Sequence, residues 1–287
     1  MIEYEPKNSQ KMKNILVPID FSKGSMHAME YAIKMVNKIG GDLRILHVRK
    51  SKSYDQPFIL KGSEKSYSKT VDEFCNEIMH HYLEQYEGKG VFDYAISSGK
   101  IYKSVIDEAK KLGAGLIVMG THGVSGFEEL WVGSNSYRVV SKASCPVLTI
   151  RHGFKRKDVK KIILPIDVYK NTRQKVPVVA ELAEKFKAEV HVVDVRTSDR
   201  KDIIYRLKQY GDQAFEHIDK QGIKAIRKSI KGSEIADAII AYGFHNNADL
   251  IAISKLDRGT PGNQSISSSA QQLVNHSPIP VLSITPY

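Results

Sequence analysis

Three glycines and the two residues after the last of them could together hold an anion. They are Gly120, Gly123 and Gly133, followed by Ser134 and Asn135 at the start of a helical pattern, with Gly126 inside the same stretch. A glycine lacks Cβ, so its backbone can approach a ligand closely and can take up positive φ. A helix start offers N–H groups without intrahelical partners and the positive end of the helix dipole, and both favour a phosphate or carboxylate. Ser134 and Asn135 add a hydroxyl and an amide as donors at that point. Gly-Ser-Asn ahead of a helix is also an ordinary cap, so the stretch alone leaves both readings open. It is not a P-loop, because GxxxxGK[ST] occurs nowhere in the chain, and GxGxxG is absent as well.

Other chemistry-bearing residues form weaker sets. Glu77 and His80 stand three apart on a predicted helix near Glu73, His81 and Glu84, a spacing that can hold a metal. No further ligand set accompanies them, which favours a solvated charged face. His122 lies inside the glycine stretch and suits binding better than catalysis, because no GxSxG elbow supplies a nucleophile. Asp20 and Asp167 recur at equivalent strand ends, where Asp is a good helix-start residue. No catalytic residue and no metal ligand is assigned.

The elements that position these residues occur twice. KNILVPID at 13–20 matches KKIILPID at 160–167, and DLRILHVR at 42–49 matches EVHVVDVR at 189–196, both 147 residues apart. GAGLIVMG at 113–120 pairs with NADLIAIS at 247–254 at a distance of 134, so the second copy is 13 residues shorter in its middle. These matches imply a duplicated domain, with units 1–152 and 153–287 and a short charged junction near HGFKRKD that predicts close packing of the two. In the first copy, strands are predicted at 15–19, 43–48, 92–97, 115–120 and 146–150. Between the first two, Met26, Met29, Ala32, Ile33, Val36 and Ile39 line one face of a helix. Apolar strands alternating with amphipathic helices imply parallel sheets covered on both faces. The fold class expected is α/β: two tandem doubly wound, five-stranded, Rossmann-like domains. Ligands of such sheets bind beyond the carboxyl ends of the strands, which here means after Asp20, near Val48 and after Met119.

The Gly-x2-Gly-x9-Gly-[Ser/Thr] spacing at Gly120, Gly123, Gly133 and Ser134, with VPIDFS ending the first strand, resembles the universal stress protein family, and the tandem arrangement resembles its two-domain members. That resemblance implies ATP, with or without Mg²⁺, as cofactor. It implies that Gly120, Gly123, Gly133, Ser134 and Asn135 contact ribose and phosphates, and that Pro18, Ile19, Asp20 and Val48 frame the adenine. The second copy departs from the pattern: Ser254, Asp257 and Ser267 replace the three glycines, and Tyr169 replaces Ser22. Asp257 would set a carboxylate where a phosphate should rest, so residues 159–287 are expected to keep the fold without the site. Lys255 and Arg258 are expected on a solvated loop, with attraction of an anion as the alternative. The last strands, PVLTI and PVLSI, are apolar edges. In the family such strands pair between subunits, so pairing of the two halves is expected here, with a further homodimer left open. A non-enzymatic, ATP-binding stress or regulatory protein is the leading expectation. A slow adenine-nucleotide hydrolase or phosphotransferase is the alternative.

Bulk composition narrows the classes. The 287 residues carry 41% hydrophobic and 26% charged residues, enough for two globular cores. The start MIEYEPKNSQKMKN has no apolar run, and no stretch approaches the ~18 apolar residues that would span a bilayer. Two cysteines, Cys75 and Cys145, read as buried free thiols, which with the polar start predicts a cytoplasmic protein. The net charge of +11 comes from scattered lysines, so nucleic acid is disfavoured as a partner.

Overall fold

The computed structural model describes residues 12–49, 70–121, 134–156, 158–255 and 266–285. His122, Gly123, Gly126, Gly133, Asp257 and Arg258 lie outside them. The first half runs β1 (Ile15–Ile19), α1 (Lys23–Ile39), β2 (Leu43–Arg49), α2 (Val71–Leu83), β3 (Phe92–Ser98), α3 (Ile101–Leu112), β4 (Leu116–Gly120), α4 (Ser134–Lys142) and β5 (Val147–Ile150). The second repeats it as β6 (Lys161–Ile166), α5 (Lys175–Phe186), β7 (Glu189–Arg196), α6 (Lys201–Asp219), β8 (Ala225–Lys231), α7 (Ile235–His245), β9 (Leu250–Ser254), α8 (Ser268–His276) and β10 (Val281–Ile284).

Among the described residues the strands form one sheet in the order β3-β2-β1-β4-β5-β10-β9-β6-β7-β8. All neighbours are parallel except β5 and β10, which pair antiparallel with Leu282 opposite Leu148. Alternate residues of each strand serve opposite layers. Ile15, Val17 and Ile19 pack with α1, α2, α5 and α6, whereas Leu16 faces α3, α4, α7 and α8. On α1 the buried Met29, Ala32, Ile33, Val36 and Ile39 form the stripe that its spacing predicts, and Met26 is only partly buried. The α/β class and the strand positions in the first half agree with the sequence expectation to within a residue at each end.

The seam between the halves overturns one expectation. Lys255 is not solvated: it is 2% exposed, and its ammonium donates to the carbonyls of Ala143 at 3.0 Å and Cys145 at 3.2 Å. The β5–β10 pairing carries the end of β9 over the end of α4, so the residue after β9 lands on the other half and not in water. Burial pushes the Lys255 ammonium down to about 8 from its ordinary 10.5, opposed by the facing Cys145 thiol, which burial itself pushes up. The folded value lies below the ordinary one, so between those two pH values the unfolded chain binds more protons, and stability rises with pH. Urea denaturation at pH 7 and pH 10 should show wild type gaining on the order of 2 kcal/mol relative to Lys255→Met. Parallel profiles for the two proteins would contradict this placement.

Candidate functional site

Asp20 stands just after β1 and organises the start of α1. Its Oδ1 accepts from the Ser22 amide at 3.2 Å and the Ser22 hydroxyl at 2.6 Å, and Ser22 is the residue that caps the helix, accepting from the Ser25 amide. Asp167 does the same work in the second half, accepting from the Tyr169 amide at 2.8 Å and the Thr172 hydroxyl at 2.5 Å. The recurrence of this Asp in both halves is therefore explained by turn geometry. The helix-start role expected of it belongs to Ser22, with Asp20 behind it.

Gly120 ends β4 directly against that turn. A Cβ there would stand 2.9 Å from the Gly24 carbonyl oxygen and 3.0 Å from its carbon, closer than real Cβ atoms pack. Helix packing thus demands this glycine independently of any ligand. The second half, which lacks it, is built differently at this turn. Ser254 occupies the equivalent place, the segment that would form the first helical turn is a 3-10 turn over Lys170–Gln174, and α5 begins only at Lys175. That rearrangement lays the Arg173 guanidinium over the Tyr210 ring at 3.8 Å and buries Lys175, whose ammonium is pushed down by desolvation against the pull of Asp167.

The start of α4 is tied to the same strand end, because the Ser136 hydroxyl donates to the Gly120 carbonyl at 3.0 Å. Ser134 is exposed, and Asn135 is half-buried and lines a cavity of about 300 Å³ with Gly99, Lys100, Ile101, Tyr102 and Arg138. Among the described residues no carboxylate lines it. α3 opens onto this cavity with no acidic residue in its first turn and no side-chain cap, leaving its first N–H groups available. The Arg138 guanidinium lies 5.2 Å and the Lys142 ammonium 5.4 Å from the centre of the Tyr102 ring. Val48 packs into the same apolar layer as Ile101 and Tyr102, on the α3/α4 side of the sheet. The next residue back, His47, faces the other layer: it stacks on Phe21 at 4.7 Å, and its Nδ1 lies 3.0 Å from the Ile19 carbonyl oxygen. Burial lowers the His47 pKa, so the ring is neutral at pH 7 and Nδ1–H donates.

Pro18, Ile19, Asp20, Val48, Gly120, Ser134 and Asn135 thus gather at the carboxyl edge of the β1, β2 and β4 strands and the start of α4. Lys100, Tyr102, Ser136 and Arg138 belong to the same region and were not expected there. The repeat supplies a signal for them. Shifted by 134 residues, Lys100 becomes Glu234, Tyr102 becomes Ala236 and Arg138 becomes Gln272, so the positive lining exists in the first half alone. Glu77 and His80 remain on α2, and no group of three side chains able to hold a metal occurs among the described residues.

Known proteins divide the chain in the same way. The sequence profile described as the universal stress protein family matches residues 11–151 and again 158–284. The universal stress protein YxiE of Bacillus subtilis is 32% identical over 145 residues, spanning 48% of this chain and 97% of its own length. The universal stress protein MJ0531 of Methanocaldococcus jannaschii is 29% identical over 143 residues, spanning 48% of this chain and 82% of its own. Across the whole chain, the crystal structure of a universal stress protein from Archaeoglobus fulgidus superposes with a TM-score of 0.68 at 19% identity, covering 96% of this chain and 99% of that one. At that identity the likeness speaks for the fold alone.

Proposed function

Because the chain belongs to the universal stress protein family in both of its halves, we propose that residues 1–152 form an ATP-binding domain and residues 153–287 a degenerate partner without a nucleotide site. The observation that carries this reading is the cavity beside Asn135. It lies between the uncapped start of α3 and the start of α4, holds two cations and, among the described residues, no carboxylate, and adjoins the apolar layer containing Val48. Phosphates fit its charged side, and the base fits near Pro18, Ile19, Asp20 and Val48. Loss of the same cations from the second half supports a single site per chain. No helix among the described residues is long and apolar enough to cross a membrane. In this reading the protein acts in the cytoplasm, where nucleotide is abundant, as a binder whose occupancy biases conformation or partner choice. The paired β5 and β10 serve as its built-in dimer contact.

Thermal unfolding with and without ATP tests the proposal. Ligand at roughly 100 times its Kd should stabilise the protein by about 2.7 kcal/mol. Gly123→Asp, which copies Asp257 into the first half, should remove the shift. An unchanged melting temperature in wild type would refute nucleotide binding, and steady multi-turnover release of ADP would shift the reading to the hydrolase.

A further inference from the structure

The two halves end their fourth helices differently. In the second half, Ser277 comes directly after α8, and its hydroxyl donates to the Ile279 carbonyl at 2.7 Å and accepts from the Ile279 amide at 3.1 Å. The equivalent residues after α4 are Ala143 and Cys145, and Ala143 has no hydroxyl with which to do this. The bond to the carbonyl two residues on, which Ser277 makes for itself, comes here from the other half, with further bonds to the Ala143 carbonyl. The Lys255 ammonium donates to the carbonyls of Ala143 and Cys145, and the Thr285 hydroxyl donates to the Ala143 carbonyl at 3.4 Å. Lys255 has no carboxylate partner among the described residues. Sinking an ammonium there is costly unless it answers a specific need, and buried carbonyls just past a helix end, where the chain turns into β5, are such a need.

We propose that Lys255 is a positioning residue for the nucleotide site: through it the second half holds the end of α4 and fixes where the anion-facing start of that helix stands. The inference rests on the nucleotide reading above. α4 has only nine residues, about 13 Å of rigid rod, so a hold on the carbonyls just past its last residue is felt at Ser134 and Asn135. Ser136 pins the other end to Gly120. A cation at the C-terminal end also complements the dipole whose positive end faces the ligand. The degenerate copy is then a working part of the site in the first half.

The test uses the full chain as wild type, Lys255→Met, and Lys255→Met combined with Ala143→Ser, which restores the hydroxyl found at position 277. Two quantities are read: amide exchange across α4, and the calorimetric Kd for ATP and for adenosine, which lacks the phosphates that reach α4. Lys255→Met should speed exchange of the α4 amides about tenfold, the loss expected for a charge-assisted hydrogen bond. It should also weaken ATP about fivefold, a typical coupling between distant sites, with adenosine unchanged. Ala143→Ser should return both towards wild type. Unchanged exchange in Lys255→Met overturns the proposal, as does faster exchange with undiminished ATP affinity or equal weakening of ATP and adenosine. A wild-type chain that binds neither ATP nor adenosine overturns the nucleotide reading instead, and exchange then decides by itself whether Lys255 holds α4.

Discussion

Lys100→Glu combined with Arg138→Gln should weaken ATP binding at least about 100-fold, from two lost charge-assisted hydrogen bonds of roughly 1.5–3 kcal/mol each and one introduced repulsion. The pair gives the first-half cavity the residues that stand at the equivalent places of the second half, Glu234 and Gln272. Both side chains are exposed and neither anchors the core, so the melting temperature without ligand should stay near that of wild type. Adenosine affinity should move little, because the base is expected near Val48 and the end of β1. Salt provides a second signature. Wild-type affinity for ATP should fall as ionic strength rises, since exposed cations are screened, while that of the variant should be nearly flat. ATP affinity within threefold of wild type would show that these cations do not face the phosphates.

The frame of this site was legible from sequence because it rests on local patterns. Apolar runs such as ILVPI and LIVMG can satisfy their burial only as covered strands, and the spacing of Met29, Ala32, Ile33 and Val36 can satisfy its own only as a helix face. The cations were not legible for the opposite reason. Lys100, just ahead of α3, and Arg138, in α4, are far apart in sequence, and each alone reads as a solvated side chain. Only the packing of α3 beside α4 brings them to one cavity. Lys255 misled for a related reason: Asp257, Arg258 and Gly259 close after it read as a loop, but its surroundings are set by strand pairing between the halves, over 100 residues away. Gly120 was legible as a residue that needs no side chain, whereas its packing cause, the approach of Gly24, depends on how α1 leans on β4.

The junction between the halves makes a second strong demand, and Asp249→Ala should destabilise the chain by about 3–4 kcal/mol. Asp249 is 5% exposed and has only Gly115 at the equivalent place in the first half. Its Oδ2 accepts from the amides of Lys160 and Lys161, each at 2.9 Å, which fixes the chain as it enters β6. Its Oδ1 lies 3.3 Å from Nε of Arg156, whose other nitrogens donate to the carbonyls of Asn247 and Ala248, each at 2.8 Å. The Arg156 carbonyl in turn accepts at 2.7 Å from the hydroxyl of Tyr31, buried in α1 of the first half. One carboxylate therefore connects the junction to the starts of two strands, and the junction to the other half. Most of the loss comes from the two stranded amides. The ion pair adds little, because the Arg156 side chain is 42% exposed and water screens it. Asp249→Asn keeps one acceptor oxygen but turns donors towards Arg156 or the amides, so it should cost about half as much. Tyr31→Phe removes a single hydrogen bond and should cost about 1 kcal/mol. Combined with Asp249→Ala it should cost less than the two separately, because Arg156, then held only by the Asn247 and Ala248 carbonyls, ties Tyr31 less firmly to the junction. Strict additivity, or a loss below about 1 kcal/mol for Asp249→Ala, would mean that the halves are held by the β5–β10 seam and not by the junction.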